Sequence, residues 1–397
     1  MEKSNETNLA SSPFALALSG GGYRATLFHL GALRRLNEVG VLGRASRIVS
    51  VSGGSLLLGF LASRVPETLA FENGVNPDDW EEKISKPVHA FVTEDLRTSQ
   101  IIRNFFLFSI FGRKRRLNKA ISHLKKIYGN TRLSDVEYDP NNPQFPELYI
   151  LSTDCIFGQA FRFSNNPKKS GHSKIGWADL TETSLAEACM VSACFPPLFG
   201  PYFPDLKKEQ FSGGNASAPD LEKIPDIALA DGGLYDNIGV NLVSGSSSKF
   251  IRLYSDAGSP LSYNDKKWTK TPFVTLRYMQ LMSNFVGRLN VQRIRATTEN
   301  KYAYWSSQYE VKNLGSGEIG YSSDLIEDVL EHVRTDLNKF SSFEAKVLEN
   351  FGYTQTELAL RRFFGDDYLN LSPPKAVWPY PDRTYTNDEY IRSNFKI

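Results

Sequence analysis

Cysteine is scarce in this chain, with three in 397 residues. Cys155, Cys189 and Cys194 are odd in number and show no C-x-x-C pairing, which argues against a disulfide framework and against a zinc site of the usual spacing. All three fall in apolar stretches and are expected to pack in a core kept in reducing surroundings. Long apolar runs are missing too. None approaches the ~20 residues that span a bilayer, so the chain is expected to meet a membrane from one side and not to cross it. Nor does one sign of charge prevail: 46 Lys and Arg stand against 44 Asp and Glu, a net of +2. That balance argues against a dedicated nucleic-acid binder. Histidines number five, with no H-E-x-x-H pair and no EF-hand loop, so no metal and no other cofactor is expected. Met1 to Ser12 is polar, has no apolar signal core, and Glu2 is incompatible with N-myristoylation. A cytoplasmic protein is expected, at most peripheral at the inner membrane face.

What is present is a set of abrupt strand-to-helix breaks. With 41% hydrophobic residues, the chain can bury a large core and suggests one large domain with an appendage. Arg47-Ile48-Val49-Ser50-Val51 reads as a buried strand that runs into Ser52-Gly53-Gly54-Ser55 and then a Leu-rich helix. Ser50-Val51-Ser52-Gly53-Gly54 has the form of a G-x-S-x-G elbow with Ser for the first Gly. Such a turn lifts a serine hydroxyl above a sheet and aims the next helix's N–H groups at the same spot. A Gly-rich turn of this kind also cradles phosphates or does nothing chemical.

A second break follows Phe14-Ala15-Leu16-Ala17-Leu18, where Ser19-Gly20-Gly21-Gly22-Tyr23-Arg24 precedes Leu27, Leu30, Leu33 and Leu36 at helical spacing. Three glycines leave backbone N–H groups uncovered, the kind of donor that developing negative charge in acyl transfer needs. A Walker loop would end in Gly-Lys-Ser/Thr, and a dinucleotide fingerprint would carry a later glycine. Neither is present, so the oxyanion reading is preferred. The third break is Ile227-Ala228-Leu229-Ala230-Asp231-Gly232-Gly233, an apolar strand ending in a carboxylate. Ligands of a mostly parallel sheet gather at the strands' C-terminal rim, and Gly22, Ser52 and Asp231 all lie just past such ends. Read alone, the Asp is a turn residue or an N-cap.

Taken in order, Ser19-Gly20-Gly21-Gly22-x-Arg24, Ser50-x-Ser52-x-Gly54 and Asp231-Gly232-Gly233 resemble the three signatures of patatin-like phospholipases. Ala188–Pro197 is similar to the family's Ala/Ser-rich helix ending in Phe-Pro, and Ile150–Asp154 with Gln159–Phe163 to its central hairpin. The likeness covers roughly 14–260. The stretch from Arg334 to Phe364 resembles a bacterial branch. Ser19, Ala25 and Ser50 stand where the family usually has Asp, Gly and Gly; all are small, and they bear on loop geometry.

The resemblance implies an α/β fold of three α/β/α layers with a mostly parallel central sheet, a helical insertion and a helical C-terminal appendage. It divides the chain into a disordered 1–12, a catalytic domain over 13–260 with the insertion at about 79–128, a helical 261–371 and an extended tail over 372–397. It implies a lipid acyl hydrolase acting on phospholipid or another acyl ester through a dyad. Ser52 would attack the carbonyl with Asp231 as general base. Amides of Gly20, Gly21 and Gly22 would hold the oxyanion, Gly53 adding to them. Arg24, Gly53, Gly54, Gly232 and Gly233 would support the site, Arg24 through the loop or through a lipid phosphate. The chemistry needs neither calcium nor another cofactor. His29 falls on the apolar face of its helix. His89, His123 and His172 precede Asp231, against the order Ser…Asp…His, and His332 sits in a charged helical segment as a solvated residue. A serine esterase or thioesterase on soluble esters, or a ligand-regulated effector or binding module on the same fold, are the alternatives. Oligomeric state is open.

Phe105–Phe111 runs into Gly112-Arg113-Lys114-Arg115-Arg116, which reads as a buried segment with a basic end, as a contact with anionic lipid, or as a lid over Ser52. Other expected elements are helices at about 25–39, 54–63 and 184–193, strands near 147–153, 159–163 and 250–254, and a loop over 204–222. Ser244 to Ser248 reads as a turn. A long helix capped by Thr271 with Pro272 at its first position is expected to about Thr298, with Phe273, Leu276, Met279 and Met282 as a core stripe. Helices at about 323–349 and 354–364 follow, and then a proline-rich extended tail.

Overall fold

The computed structural model describes residues 9–64, 75–93, 110–136, 138–139, 145–196, 199–244, 250–260, 273–296, 301–308 and 318–395. Ten strands form one sheet: β1 (Phe14–Leu18), β2 (Ala45–Val51), β3 (Glu147–Asp154), β4 (Gln159–Ser164), β5 (Ser170–His172), β6 (Gly176–Ala178), β7 (Ser212–Gly213), β8 (Leu229–Asp231), β9 (Ile251–Asp256) and β10 (Tyr302–Ser306). Nine follow the order β10-β9-β1-β2-β3-β4-β5-β6-β7, and β8 pairs β3 off that path. The first five in that order run parallel, and from β4 onward the pairing is antiparallel.

Residues of the parallel strands are apolar on both faces, so each face needs a cover. Leu16, Leu18, Ile48, Leu148 and Ile150 enter the larger core. It lies under α1 (Gly22–Glu38), α2 (Gly53–Ala62), α5 (Leu185–Ser192) and α7 (Ser342–Phe364). Ala15, Ala17, Val49, Val51 and Leu151 face a second, smaller core with Val240, Val243 and Ile294. Ile294 belongs to α6 (Phe273–Ala296). The layers are therefore helix, sheet, helix. α3 (Lys86–Val92) and α4 (Ile110–Tyr128) lie between β2 and β3 in the chain.

The edge of β3 carries the feature that positions the site. β4 occupies one edge of β3 from Tyr149 to Asp154. On the other edge β2 pairs as far as Val51 with Leu151. There the chain turns away at Ser52, and β8 takes the vacated places from the opposite direction: Asp231 pairs Ser152 and Leu229 pairs Asp154. β2 and β8 thus meet end to end. The strand ending in Asp231 was expected to run with the parallel set. It runs against β3, and Asp231 still arrives level with Ser52.

Other expectations shift with local capping. The helices expected over about 323–349 and 354–364 divide elsewhere: Ser323–Asp328 stands apart, Ser341 opens a new helix, and α7 runs unbroken through the expected gap at 349–354. The Ser341 hydroxyl accepts from the Glu344 amide at 3.2 Å while its own amide donates to Glu344 Oε2 at 2.7 Å, a reciprocal cap. The loop expected over 204–222 contains β7 and the short helix Ala218–Leu221 capped by Ser217. Arg383–Thr386 and Asp388–Asn394 are short helices within the segment expected to be extended. β10 has no counterpart among the expected strands. Of 105–116, residues 105–109 lie outside the described residues and 110–116 open α4. Ser244 ends a helix begun at Val240, and 245–248 lie outside the described residues. Cys155 is exposed, unlike Cys189 and Cys194. The expected core stripe of α6 fails at Met282, which is 71% exposed.

α1 and α7 cross closely because small residues face each other. A Cβ added to Gly352 would stand 1.7 Å from the carbonyl oxygen of Phe28. Gly352→Ala is expected to push the helices apart and to cost ~3 kcal/mol or more, the upper end of overpacking effects, read as a lower midpoint in chemical denaturation.

Candidate active site

Ser52 has φ 49° and ψ −115°, a backbone conformation rare outside glycine. Three contacts hold it there. Its amide donates to Ser192 Oγ at 2.9 Å, Ser192 Oγ and Ser55 Oγ share a hydrogen bond of 2.9 Å, and Ser55 Oγ donates to Ser50 Oγ at 2.9 Å. Ser50, the departure from the usual elbow glycine, anchors this chain of hydroxyls beneath the turn. Gly53 and Gly54 start α2, and a Cβ on Gly53 would stand 2.0 Å from the Gly22 carbonyl. The elbow and the glycine loop are therefore pressed together, with Thr26 Oγ1 donating to the Gly53 carbonyl at 2.9 Å.

The glycine loop turns through Gly21 (φ 144°) and Gly22 (φ 58°) into α1. Its three amides differ. Gly20 N–H donates to the Asn237 carbonyl at 3.0 Å, so it is engaged where the sequence suggested an open donor. The amides of Gly21 and Gly22 have no partner among the described residues. Ser19, in the place of the usual Asp, accepts from the Ala257 amide at 2.7 Å. His29 is fully buried under the loop, Nε2 2.9 Å from the Ser19 carbonyl and Nδ1 2.8 Å from Ser255 Oγ. Burial holds its pKa down at about 4. It is a neutral packing group that props the loop.

Arg24 is also fully buried. Its Nη1 donates to the carbonyls of Glu331 and Val333 at 3.0 and 3.1 Å and to Ser259 Oγ at 3.2 Å, and Nη2 donates to Ala257 O at 2.5 Å. Desolvation lowers its pKa to about 10, with Asp256 acting against it, so it stays charged. The guanidinium ties the loop to residues 331–333 and does not reach solvent. Tyr23 N–H donates to the Asp336 carbonyl at 3.0 Å, so the same distant segment lies on Gly22.

Asp231 is buried at the junction. Thr153 Oγ1 donates to its carbonyl at 2.8 Å, and the Gly233 amide donates to Oδ1 at 2.7 Å. The Gly232 amide donates to the Ser192 carbonyl at 3.1 Å, so Ser192 holds both the elbow and the acidic turn. Oδ2 is buried with no hydrogen bond of ordinary geometry. Desolvation pushes the carboxyl up to about 7, and the Gly233 amide and then the Ser52 hydroxyl act to lower it. Asp236 stiffens the turn by accepting from the amides of Gly239 and Asn241 at 2.9 and 3.2 Å.

The sequence did not single out Ser192, Ser55 or Asn237. Ser192 lay in the recognised Ala/Ser-rich helix without a role, and Asn237 follows Asp231 in one turn, where a polar residue is unremarkable. Of the other histidines, His172 Nε2 lies 3.0 Å from Asp154, His89 Nε2 2.8 Å from Glu349, and His332 is exposed beside Glu331. Among the described residues no His, Cys, Asp and Glu group is arranged to hold a metal ion, and no helix is long and apolar enough to cross a membrane.

A helix–sheet–helix sandwich with a serine turn of positive φ beside a buried carboxyl defines a three-layer α/β protein. Residues 16–243 match the family model of patatin-like phospholipases, more than half of the chain, and the protein belongs to that family. VipD from Legionella pneumophila is similar at 14% identity, over 91% of this chain and 72% of its own, with a TM-score of 0.38. Human GIVD cytosolic phospholipase A2 is similar at 12% identity, over 96% of this chain and 59% of its own, with a TM-score of 0.45. The chain thus spans less than two thirds of the human enzyme's length. The same human enzyme in complex with methyl gamma-linolenyl fluorophosphonate gives 14% identity, 91% and 59% coverage and a TM-score of 0.42. No curated protein matches the chain.

Ser192→Ala is expected to leave the Ser52 amide and the Ser55 hydroxyl without their shared partner. The cost is ~1–3 kcal/mol, seen as a lower unfolding midpoint with the far-UV spectrum unchanged.

Proposed function

We propose that the protein is a lipid acyl hydrolase in which Ser52 is the nucleophile and Asp231 the general base. The observation that carries this is the end-to-end meeting of β2 and β8 on β3, which sets the Ser52 turn against a carboxyl raised to about 7. A base poised near neutral pH takes a proton from a hydroxyl more readily than an ordinary carboxylate does. The Ser52 Oγ–H proton passes to Asp231 as Oγ bonds to the acyl carbonyl carbon, and the carbonyl electron pair moves onto oxygen. Amides of Gly21, Gly22 and Gly53 supply the donors for that oxyanion; Gly20, engaged with Asn237, holds the loop. Collapse expels the alcohol, which takes the proton from Asp231. A water then gives its proton to Asp231, attacks the acyl-serine and releases the fatty acid, returning the proton to Ser52. Apart from that water, the proton transfers and oxyanion contacts fall to protein groups. Gly54, Gly232 and Gly233 give the close turns on either side, and buried Arg24 keeps the loop in place.

Fatty-acid release from mixed phospholipid vesicles, measured with a calcium chelator present, tests the assignment. Wild-type release is expected to fall at least ~10³-fold in Ser52→Ala and in Asp231→Asn, and a fluorophosphonate is expected to label wild type but not Ser52→Ala. No release from any acyl ester would sink the reading. Release from soluble esters alone would reassign the site to an esterase or thioesterase.

The rate is expected to rise with pH through about 7 and to level above it, because the base acts unprotonated. Stability runs the other way. A carboxyl whose folded pKa lies above its unfolded value costs the fold stability above about 7, and that cost fades as pH falls toward 4. Asp231→Asn is therefore expected to melt at or above the wild-type temperature at pH 8, in a thermal scan that also shows it inactive.

A further inference from the structure

We infer that the exposed face of α6 is a docking surface for an anionic lipid bilayer, an inference whose choice of occupant rests on the acyl-hydrolase reading. Five of the eleven large hydrophobic side chains that are exposed among the described residues lie on this one helix: Tyr278, Leu281, Met282, Phe285 and Leu289. Their spacing puts them in one row along it. Phe285 is 59% exposed and Met282 71%, and no described side chain from 274 to 289 is buried. Single exposed apolar residues are ordinary on any protein, whereas a continuous row marks a contact surface.

Among the described residues, the buried contacts of this helix lie in its C-terminal third. Ile294 enters the smaller core, and Asn290 Nδ2 donates to Asp236 Oδ1 at 3.0 Å. Asp236 is the same carboxylate that stiffens the turn after Asp231, so the exposed row is rooted on the site. Charge selects the occupant. α6 carries Arg277, Arg288, Arg293 and Arg295 and no Asp or Glu over 24 residues, in a chain whose charges otherwise balance. A two-fold contact with a second copy of this helix would bring these arginines together with no carboxylate on either helix to meet them. An apolar row flanked by arginine is instead the composition of a helix that lies in a lipid interface, its apolar side among acyl chains and its cations at anionic head groups.

Flotation of the full chain carrying Ser52→Ala tests this without hydrolysing the vesicles. Phosphatidylcholine vesicles with added phosphatidylglycerol are expected to bind at least ~10-fold more tightly than phosphatidylcholine alone. Adding Met282→Glu with Phe285→Glu is expected to weaken binding at least ~10-fold, and Arg288→Glu, tested separately, at least ~5-fold, as ~1 kcal/mol per cation implies. These positions are exposed, so the melting temperature should hold, and hydrolysis of a soluble short-chain ester by chains with an intact Ser52 should not change. Equal binding to both vesicle types, or unchanged binding by the variants, would overturn the inference. So would a wild-type dimer that the double substitution makes monomeric in light scattering. Vesicle binding without turnover of any ester would remove the hydrolase reading and leave the surface standing; turnover of soluble ester without vesicle binding would do the reverse.

Discussion

Everything at this site depends on one shared strand edge. β3 offers a row of backbone donors and acceptors, and β2 uses that row only to Val51. Had β2 continued, Ser52 would be an ordinary strand residue with its side chain in a core. Because the chain turns there, β8 can hydrogen-bond to the remaining residues of β3 from the other direction. Two strand ends and two Gly-Gly turns are forced into the space of one residue. The strain of the left-handed serine and the desolvation of Asp231 arise from this same junction. The backbone pairing around them and the Gly233 amide on Asp231 Oδ1 help to offset both.

Junctions of that kind must be braced from beneath, and here hydroxyl groups do it. Ser192 accepts from the Ser52 amide, shares a hydrogen bond with Ser55, and lends its carbonyl to Gly232. A buried polar network is favourable only when its members are paired, and this one spans elbow, α2 and α5 with short contacts. It accounts for Ser50 in a place where an elbow normally has glycine. The extra hydroxyl fills space that a bare turn would leave and gives Ser55 an acceptor.

The breaks themselves were legible in the sequence. Apolar runs that stop at Ser52, Gly20 and Asp231 announce strand ends, and glycines after each announce sharp turns. The three-layer arrangement follows from strands that are apolar on both faces. Direction was not legible. β8 is three residues long, and nothing in Leu229-Ala230-Asp231 says whether it runs with or against β3; only the gap left by β2 decides that. Nor could the amide of Gly20 be known to be engaged, since its partner, the Asn237 carbonyl, carries no side-chain signal. Long-range ties were hidden for the same reason. Arg24 looked like a loop or head-group residue, and all its acceptors are more than two hundred positions away, two of them main-chain carbonyls more than three hundred away. The face of α6 misled because an apolar periodicity shows that one side is apolar but not what lies against it.

Arg24 also has a consequence for the order in which the protein can be made. A buried guanidinium is costly until its donors find acceptors, and those acceptors include residues 331 and 333, while Gly22 and Tyr23 rest on the segment around Asp336. A ribosome delivers the glycine loop, the elbow and Asp231 long before it delivers that segment. During synthesis the nascent chain therefore holds Ser52, Asp231 and the glycine loop while part of the loop's bracing is still missing. The loop gains its full bracing only when these late residues fold back onto early ones, so a chain cut short before residue 331 would leave the Arg24 guanidinium without two of its carbonyl acceptors.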